Sequence, residues 1–138
     1  MSYKPKRGTV ELEDAEIIDH QAFAGQQFVL RVRAPKAARR ATPGTFAHIS
    51  VDPAVALRRP LSIMRANASE GWLEFLYKPK GYGLDKLSAR RSGEVLSVLA
   101  PIGRGFTPDA SRRQVLALGG GVGIPPMIFL ADQLRARP

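Results

Sequence analysis

Gly71-Trp72-Leu73-Glu74-Phe75-Leu76-Tyr77-Lys78-Pro79-Lys80-Gly81-Tyr82-Gly83-Leu84-Asp85-Lys86-Leu87-Ser88-Ala89-Arg90-Arg91 changes its period halfway. Up to Lys78 it carries Trp72, Phe75 and Tyr77, aromatic residues that suit a pleated, half-buried surface, and it reads as a strand. From Gly83 to Arg91 the apolar residues Leu84 and Leu87 stand three apart, with Lys86, Arg90 and Arg91 turned outward. That spacing predicts a short helix with cations in its last turn, where the helix dipole favours them, and Gly93 marks its stop. A strand therefore runs through Pro79 and a Gly81-Tyr82-Gly83 turn into a helix.

Upstream of this switch the chain alternates. In Thr9–Ile18, Val10, Leu12, Ala15 and Ile17 are apolar and Glu11, Glu13 and Glu16 lie between them. In Gln27–Ala34, Phe28, Leu30 and Val32 oppose Val29, Arg31 and Arg33, and the run stops at Pro35. Residues 35–44, with two prolines and Gly44, read as a loop. Thr45–Val51 is a third strand. Leu61–Ala66 and Gly71–Lys78 form a hairpin through Asn67-Ala68-Ser69-Glu70. Downstream, Glu94–Leu99 is a sixth strand ended by Pro101, followed by a Gly/Pro-rich loop from Ala100 to Pro108. Six strands with one short helix predict a mainly β fold, a six-stranded antiparallel Greek-key barrel.

The end of the chain is of another kind. Gln114–Leu118 is a continuous apolar run, as expected of a strand buried on both faces of a parallel sheet. Gly119-Gly120-Gly121-Val122-Gly123 follows, then Ile124-Pro125-Pro126 opens a helix with proline in its first turn. Strand, glycine turn and helix make the first half of a βαβ nucleotide-binding unit, an incomplete α/β segment. The expected division is a barrel over residues 1–108 and this segment over 109–138. Seventeen residues follow Gly121, fewer than the roughly 30 of a βαβ unit. The expectation is a truncated second domain whose exposed edge packs back on the barrel or pairs with a second copy as a homodimer.

Composition removes whole classes of chemistry. The chain has 138 residues and no cysteine, so its own residues supply no thiolate nucleophile, disulfide or Cys-ligated metal cluster. Its two histidines, His20 and His48, are too few for a transition-metal site, and no metal is expected. No apolar run approaches the roughly 20 residues that span a bilayer. Met1–Arg7 is basic but is followed by five acids in Gly8–Asp19, unlike a signal peptide, so the expected location is cytoplasmic and off the membrane. The net charge of +9 favours anionic partners. The bases are scattered as pairs such as Arg58-Arg59 and Arg90-Arg91, so any basic patch is made by folding.

Three segments carry candidate binding chemistry. In Arg59-Pro60-Leu61-Ser62, the arginine offers a planar fork suited to phosphate oxygens, and Ser62 is small with a hydroxyl. In Leu76-Tyr77-Lys78 and Gly81-Tyr82-Gly83-Leu84, the two glycines let backbone approach a phosphate, and the helix behind them points its N-terminus there. In Gly119–Gly123 the glycines Gly119, Gly120, Gly121 and Gly123 sit at a strand end, with a spacing that fits G-x-G-x-x-G poorly. Each has an ordinary reading beside it: a surface arginine, a strand serine, a core tyrosine, a plain glycine turn. No acid–base pair or nucleophile stands out, and no catalytic residue is assigned.

Together with Ala100-Pro101-Ile102-Gly103-Arg104-Gly105-Phe106, these segments in this order resemble the ferredoxin reductase-like flavoproteins, and among them most closely the electron transfer subunits of dihydroorotate dehydrogenase. The family's R-P-x-S matches Arg59, Pro60, Leu61 and Ser62; its G-x-G-T matches Gly81-Tyr82-Gly83 with Leu84 in place of threonine; its G-G-G-x-G-x-P-P matches Gly119–Pro126. The resemblance implies an FAD-binding barrel in which Arg59 faces the pyrophosphate, Ser62 lies beside the flavin's redox edge, Leu61 makes an apolar contact to the ring where relatives use tyrosine, Tyr77 stacks on or hydrogen-bonds the flavin or its ribityl chain, and Lys78 adds charge near the phosphates. The missing threonine hydroxyl leaves the Leu84 backbone N–H as donor. It implies further that NAD(H) and a [2Fe–2S] centre belong to a full-length relative, which passes electrons to a catalytic dihydroorotate dehydrogenase subunit in pyrimidine biosynthesis. Two rivals stand beside it: a subunit of another ferredoxin or hydrogenase NAD(P) reductase, and a basic OB-like barrel binding nucleic acid through Trp72, Phe75 and Tyr77. The nucleic-acid rival leaves the glycine-rich strand–helix unexplained.

Overall fold

The computed structural model describes residues 8–138; the basic Met1–Arg7 segment lies outside them. The alternating runs become strands β1 (Glu11–Phe23), β2 (Gln27–Arg33), β3 (Phe46–Ser50), β4 (Arg59–Asn67), β5 (Trp72–Tyr77) and β6 (Val95–Ile102). They close into a barrel in the order β1-β2-β5-β4-β3-β6, with every pairing antiparallel. β3, β4 and β5 pair in succession and β6 returns beside β3, which is the Greek-key arrangement the sequence predicts. β1 closes the wall by serving two neighbours: Glu11–Glu16 pair with β6, and Ile17–Phe23 pair with β2 across a register irregularity. Such a bulge bends a strand around a barrel corner.

The period-two pattern sends one set of side chains inward. Ile17, Leu30, Val32, Ile49, Ile63, Leu73 and Phe75 are fully buried, joined by Leu96 and Val98. Each contributes about 1.5–3 kcal/mol on leaving water. Glu74 is a buried charge, 5% exposed, paired with Arg31 at 2.6 Å and Arg65 at 3.2 Å. Arg65 also reaches Asp132 at 2.7 Å, which ties the C-terminal helix to β4.

Four expectations need correction. Residues 35–44 are not all loop: α1 spans Pro35–Arg40, with Pro35 in its first turn and Ala37 and Ala38 buried. Proline stops the preceding strand but is pre-set for a helix start. The next helix, α2 (Gly81–Ser88), begins two residues earlier than the Leu84/Leu87 spacing suggests. β6 does not end before Pro101 but runs through it to Ile102, which pairs with Phe46. Gln114–Leu118 forms no strand; it has no regular structure and is exposed, with Leu116 82% and Leu118 80% accessible. An all-apolar strand is stable only with sheet neighbours on both sides, and none pairs with it among the described residues. The glycine turn tightens into a 3-10 turn at Gly121–Gly123, and α3 (Ile124–Arg135) follows with Pro125 and Leu130 buried.

Candidate functional site

Antiparallel pairing sets the start of β4 beside the end of β5. The ladder between them runs from Asn67↔Trp72 to Ile63↔Phe75 and then stops. Arg59–Ser62 pair with β3 only, while Leu76 and Tyr77 pair with β2 only. Among the described residues β4 and β5 are therefore not paired with each other along this stretch, which forms a seam in the wall. Arg59, Pro60, Leu61 and Ser62 line one lip; Leu76 and Tyr77 line the other, and Lys78 leads from it to α2.

α2 closes over the end of the seam. Its N-cap, Lys80, gives no side-chain cap, and no acid sits in its first turn, so the first backbone N–H groups are left without partners of that kind. Gly81 holds φ +77, and a Cβ there would meet nothing within 4 Å, so this approach is open. Gly83 is the reverse. A Cβ at Gly83 would lie 2.3 Å from Arg59 Nε and 2.9 Å from Cζ, so only glycine admits the guanidinium against the helix. The two elements that sequence reading expects to converge are in contact. Because α2 starts at Gly81, the N–H groups of Gly81, Tyr82 and Gly83 fall in its first turn, where a helix leaves its donors without an intrahelical partner. Leu84's side chain packs on the core.

The paired arginines divide the labour. Arg58 turns away, donating to the Ser97 carbonyl at 2.9 Å, to Ser97 Oγ at 2.8 Å and to the His48 carbonyl at 3.3 Å, and so fastens β3 to β6. Arg59 donates only to the Leu57 carbonyl at 3.3 Å and has no carboxylate partner among the described residues.

The other expected contacts are placed unevenly. Leu61 is 8% exposed and belongs to the core cluster, so it offers the seam an edge, not an open face. Ser62 is half-buried opposite Phe46, whose strand also meets Ile102. The 100–108 loop folds onto this side: the Phe106 N–H donates to the Pro43 carbonyl at 2.8 Å, and Gly103 packs on Phe46. Tyr77 is 5% exposed and stacked on Phe28 at 5.5 Å, in the wall at the seam's end. Burial alone pushes its phenol pKa up, because a phenolate would lose its hydration there. Its hydroxyl meets His20 Nε2 at 2.8 Å, a partner that spacing 57 residues apart gives no means to find.

The second glycine turn is bare by comparison. Gly119, Gly120 and Gly121 are exposed, and a Cβ on Gly120, Gly121 or Gly123 would meet nothing. Among the described residues no side chain lies over Gly120, Gly121 or Gly123 as Arg59 lies over Gly83. A concavity of about 840 Å³ lies elsewhere, between residues 110–117 and the far end of α3. The aromatic platform required of a nucleic-acid barrel is also absent: Phe75 is fully buried, Tyr77 nearly so, and Trp72 is half-buried with Arg31 over its ring at 4.1 Å. No helix among the described residues is long and apolar enough to cross a membrane.

No protein-family model matches the chain. It is 36% identical over 128 residues to the electron transfer subunit of dihydroorotate dehydrogenase B (NAD(+)) from Geobacillus sp. strain WCH70, covering 88% of this chain and 49% of that protein. The subunit of the same name from Desulforamulus reducens is 34% identical over 125 residues, covering 88% and 47%. The chain thus spans about half the length of these curated relatives. Among solved structures, an NADH-dependent reduced ferredoxin-NADP oxidoreductase superposes with a TM-score of 0.80 at 27% identity, over 89% of this chain and 44% of that one. The ferredoxin reductase in carbazole 1,9a-dioxygenase gives 0.80 at 25%, over 93% and 40%. By sequence the chain is a homologue of dihydroorotate dehydrogenase B electron transfer subunits over about half their length, and its barrel has the ferredoxin reductase-like fold.

Proposed function

We propose that residues 1–108 are the FAD-binding barrel of an electron-transfer flavoprotein, and that 109–138 contribute the opening of a nicotinamide-dinucleotide unit. The observation that carries this is the Arg59 guanidinium seated on Gly83 at the uncapped start of α2. A pyrophosphate needs a counter-charge and backbone donors at one place. Arg59 supplies the first without a competing acid, Gly81–Gly83 supply the second, and Lys78 and Lys80 are exposed on the approach. The unpaired β4–β5 seam beside them is where a flat ring system would lie, with Ser62 on one lip and Leu76 and Tyr77 on the other.

When bound, a flavin supplies the redox chemistry itself, taking electrons in pairs and releasing them singly. The chain's part is to hold the diphosphate, to exclude water from the seam and to fix the ring's edge near Ser62. Donation by NADH, relay through a [2Fe–2S] centre and delivery to a catalytic dihydroorotate dehydrogenase subunit are proposed for the longer protein to which this barrel corresponds. Any iron–sulfur centre would take its thiolates from outside these 138 residues, which contain no cysteine. A reductase serving a different acceptor would use the same barrel; co-purification with a dihydroorotate-oxidising subunit separates the two.

Titration of the purified chain with FAD, read by flavin fluorescence and absorbance, tests the reading. Saturable binding that Arg59→Ala weakens supports it. A folded chain that binds no FAD yet shifts single-stranded DNA overturns it.

A further inference from the structure

We infer that His20 is a positioning residue for the glycine-lined mouth of α2, an inference that rests on the cofactor reading above. Residues 78–94, which contain α2, leave the barrel at Tyr77 and rejoin it at Val95, and Arg90 lies two residues past the helix end at Ser88. His20 stands on β1 opposite Leu30 of β2, and its single ring reaches the segments beyond both ends of α2. Nδ1 lies 2.7 Å from the Arg90 carbonyl oxygen, and Nε2 lies 2.8 Å from the Tyr77 hydroxyl. A carbonyl oxygen only accepts, so Nδ1 carries a proton and donates it. In the neutral tautomer Nε2 then accepts the Tyr77 O–H. Phe28 braces both rings, with centroids 5.5 Å from each.

Among the described residues no other side chain hydrogen-bonds to both ends. Leu84 packs the middle of α2 on the core, and Leu87, fully buried, fastens its last turn. The ends depend on Tyr77 and Arg90, and a short helix moves as a rigid body. A shift at its base carries Gly81 and Gly83 with it and changes where Arg59 meets the helix. His20 touches neither the mouth nor a ligand there; it acts by holding the frame of the helix.

Amide hydrogen exchange on the full chain, with and without FAD, tests the clamp. In His20→Leu the expected result is faster exchange confined to residues 78–90 and FAD binding about tenfold weaker, the cost of breaking a part-buried hydrogen-bonded pair. His20→Gln, which can donate at one atom and accept at another, restores most of both. Exchange at 78–90 unchanged in His20→Leu overturns the inference. So does loosening spread evenly over β1–β6, or a Gln variant no better than Leu. If His20→Leu does not fold, Tyr77→Phe keeps the ring stack and deletes only the O–H; unchanged exchange at 78–90 in that variant overturns the inference as well. If the unaltered chain binds no FAD, the cofactor reading falls while the exchange pattern still decides the clamp.

Discussion

Two helices in this molecule begin from glycine-rich turns, and they are not equivalent. α2 starts at Gly81-Tyr82-Gly83 with Arg59 pressed against it from β4 and His20 gripping its base from β1. α3 starts behind Gly119–Gly123 with most of those glycines in open solvent. Both have glycine-rich backbone and no capping side chain, but Pro125 and Pro126 bring no N–H to α3's first turn, and the Gly123 and Ile124 N–H groups are already bonded to the Gly120 and Gly121 carbonyls. A helix start becomes a binding site only when another element supplies the counter-charge and the walls. The barrel supplies both to the first turn, and nothing among the described residues supplies them to the second.

The largest expected effect breaks the first site at its charge. Arg59→Ala should weaken FAD binding by about 10–100-fold, the worth of hydrogen bonds from a charged donor. Arg58→Ala, one residue away, should instead lower the melting temperature by freeing Ser97 and His48, with little change in FAD affinity; equal effects on affinity would contradict the division of roles. Next comes the steric test. Gly83→Ala should displace the guanidinium and cost about tenfold in FAD affinity, whereas Gly120→Ala on the bare turn should change stability by less than about 0.5 kcal/mol. A titration and a thermal melt on each variant read both.

Smaller effects concern the frame. Arg65→Ala removes the tie from β4 to Asp132 and one of two partners of buried Glu74. It should cost about 1 kcal/mol and make α3 more sensitive to limited proteolysis, leaving FAD affinity near that of the unaltered chain. The smallest is alkaline. Folding raises the Tyr77 pKa by burial, so below about pH 10 both folded and unfolded chains keep the proton and nothing is lost. Above it the unfolded chain releases the proton and the folded one does not, so stability falls as pH rises. Urea midpoints should show this slope, and Tyr77→Phe should remove that part of it.

The barrel was readable because period two survives in every strand: Phe28, Leu30 and Val32 alternate in sequence and pair in register with Tyr77, Phe75 and Leu73. Arg59 and Gly83 were readable as a pair through motif order, although they lie on separate elements. What escaped reading has physical reasons. Pro35 is equally suited to ending a strand and to starting a helix, so α1 was hidden in an apparent loop. Leu116 and Leu118 carry a buried-strand pattern that needs neighbours to act on it. His20 gives no signal at all, because its partners lie 57 and 70 residues away and only closure of the barrel brings them together. The divergent fates of Arg58 and Arg59 appear only in the fold: Arg58 sits just before β4 and reaches across to Ser97, while Arg59 opens the strand beside α2.

A closed barrel ordinarily abolishes free strand edges, yet here the β4–β5 ladder stops at Ile63↔Phe75. Backbone groups along that gap are available to whatever extended or planar molecule arrives first. A cofactor wedged there doubles as a plug against unwanted strand addition. Shelf life of the purified chain should accordingly track its flavin content, with colourless preparations self-associating sooner than yellow ones.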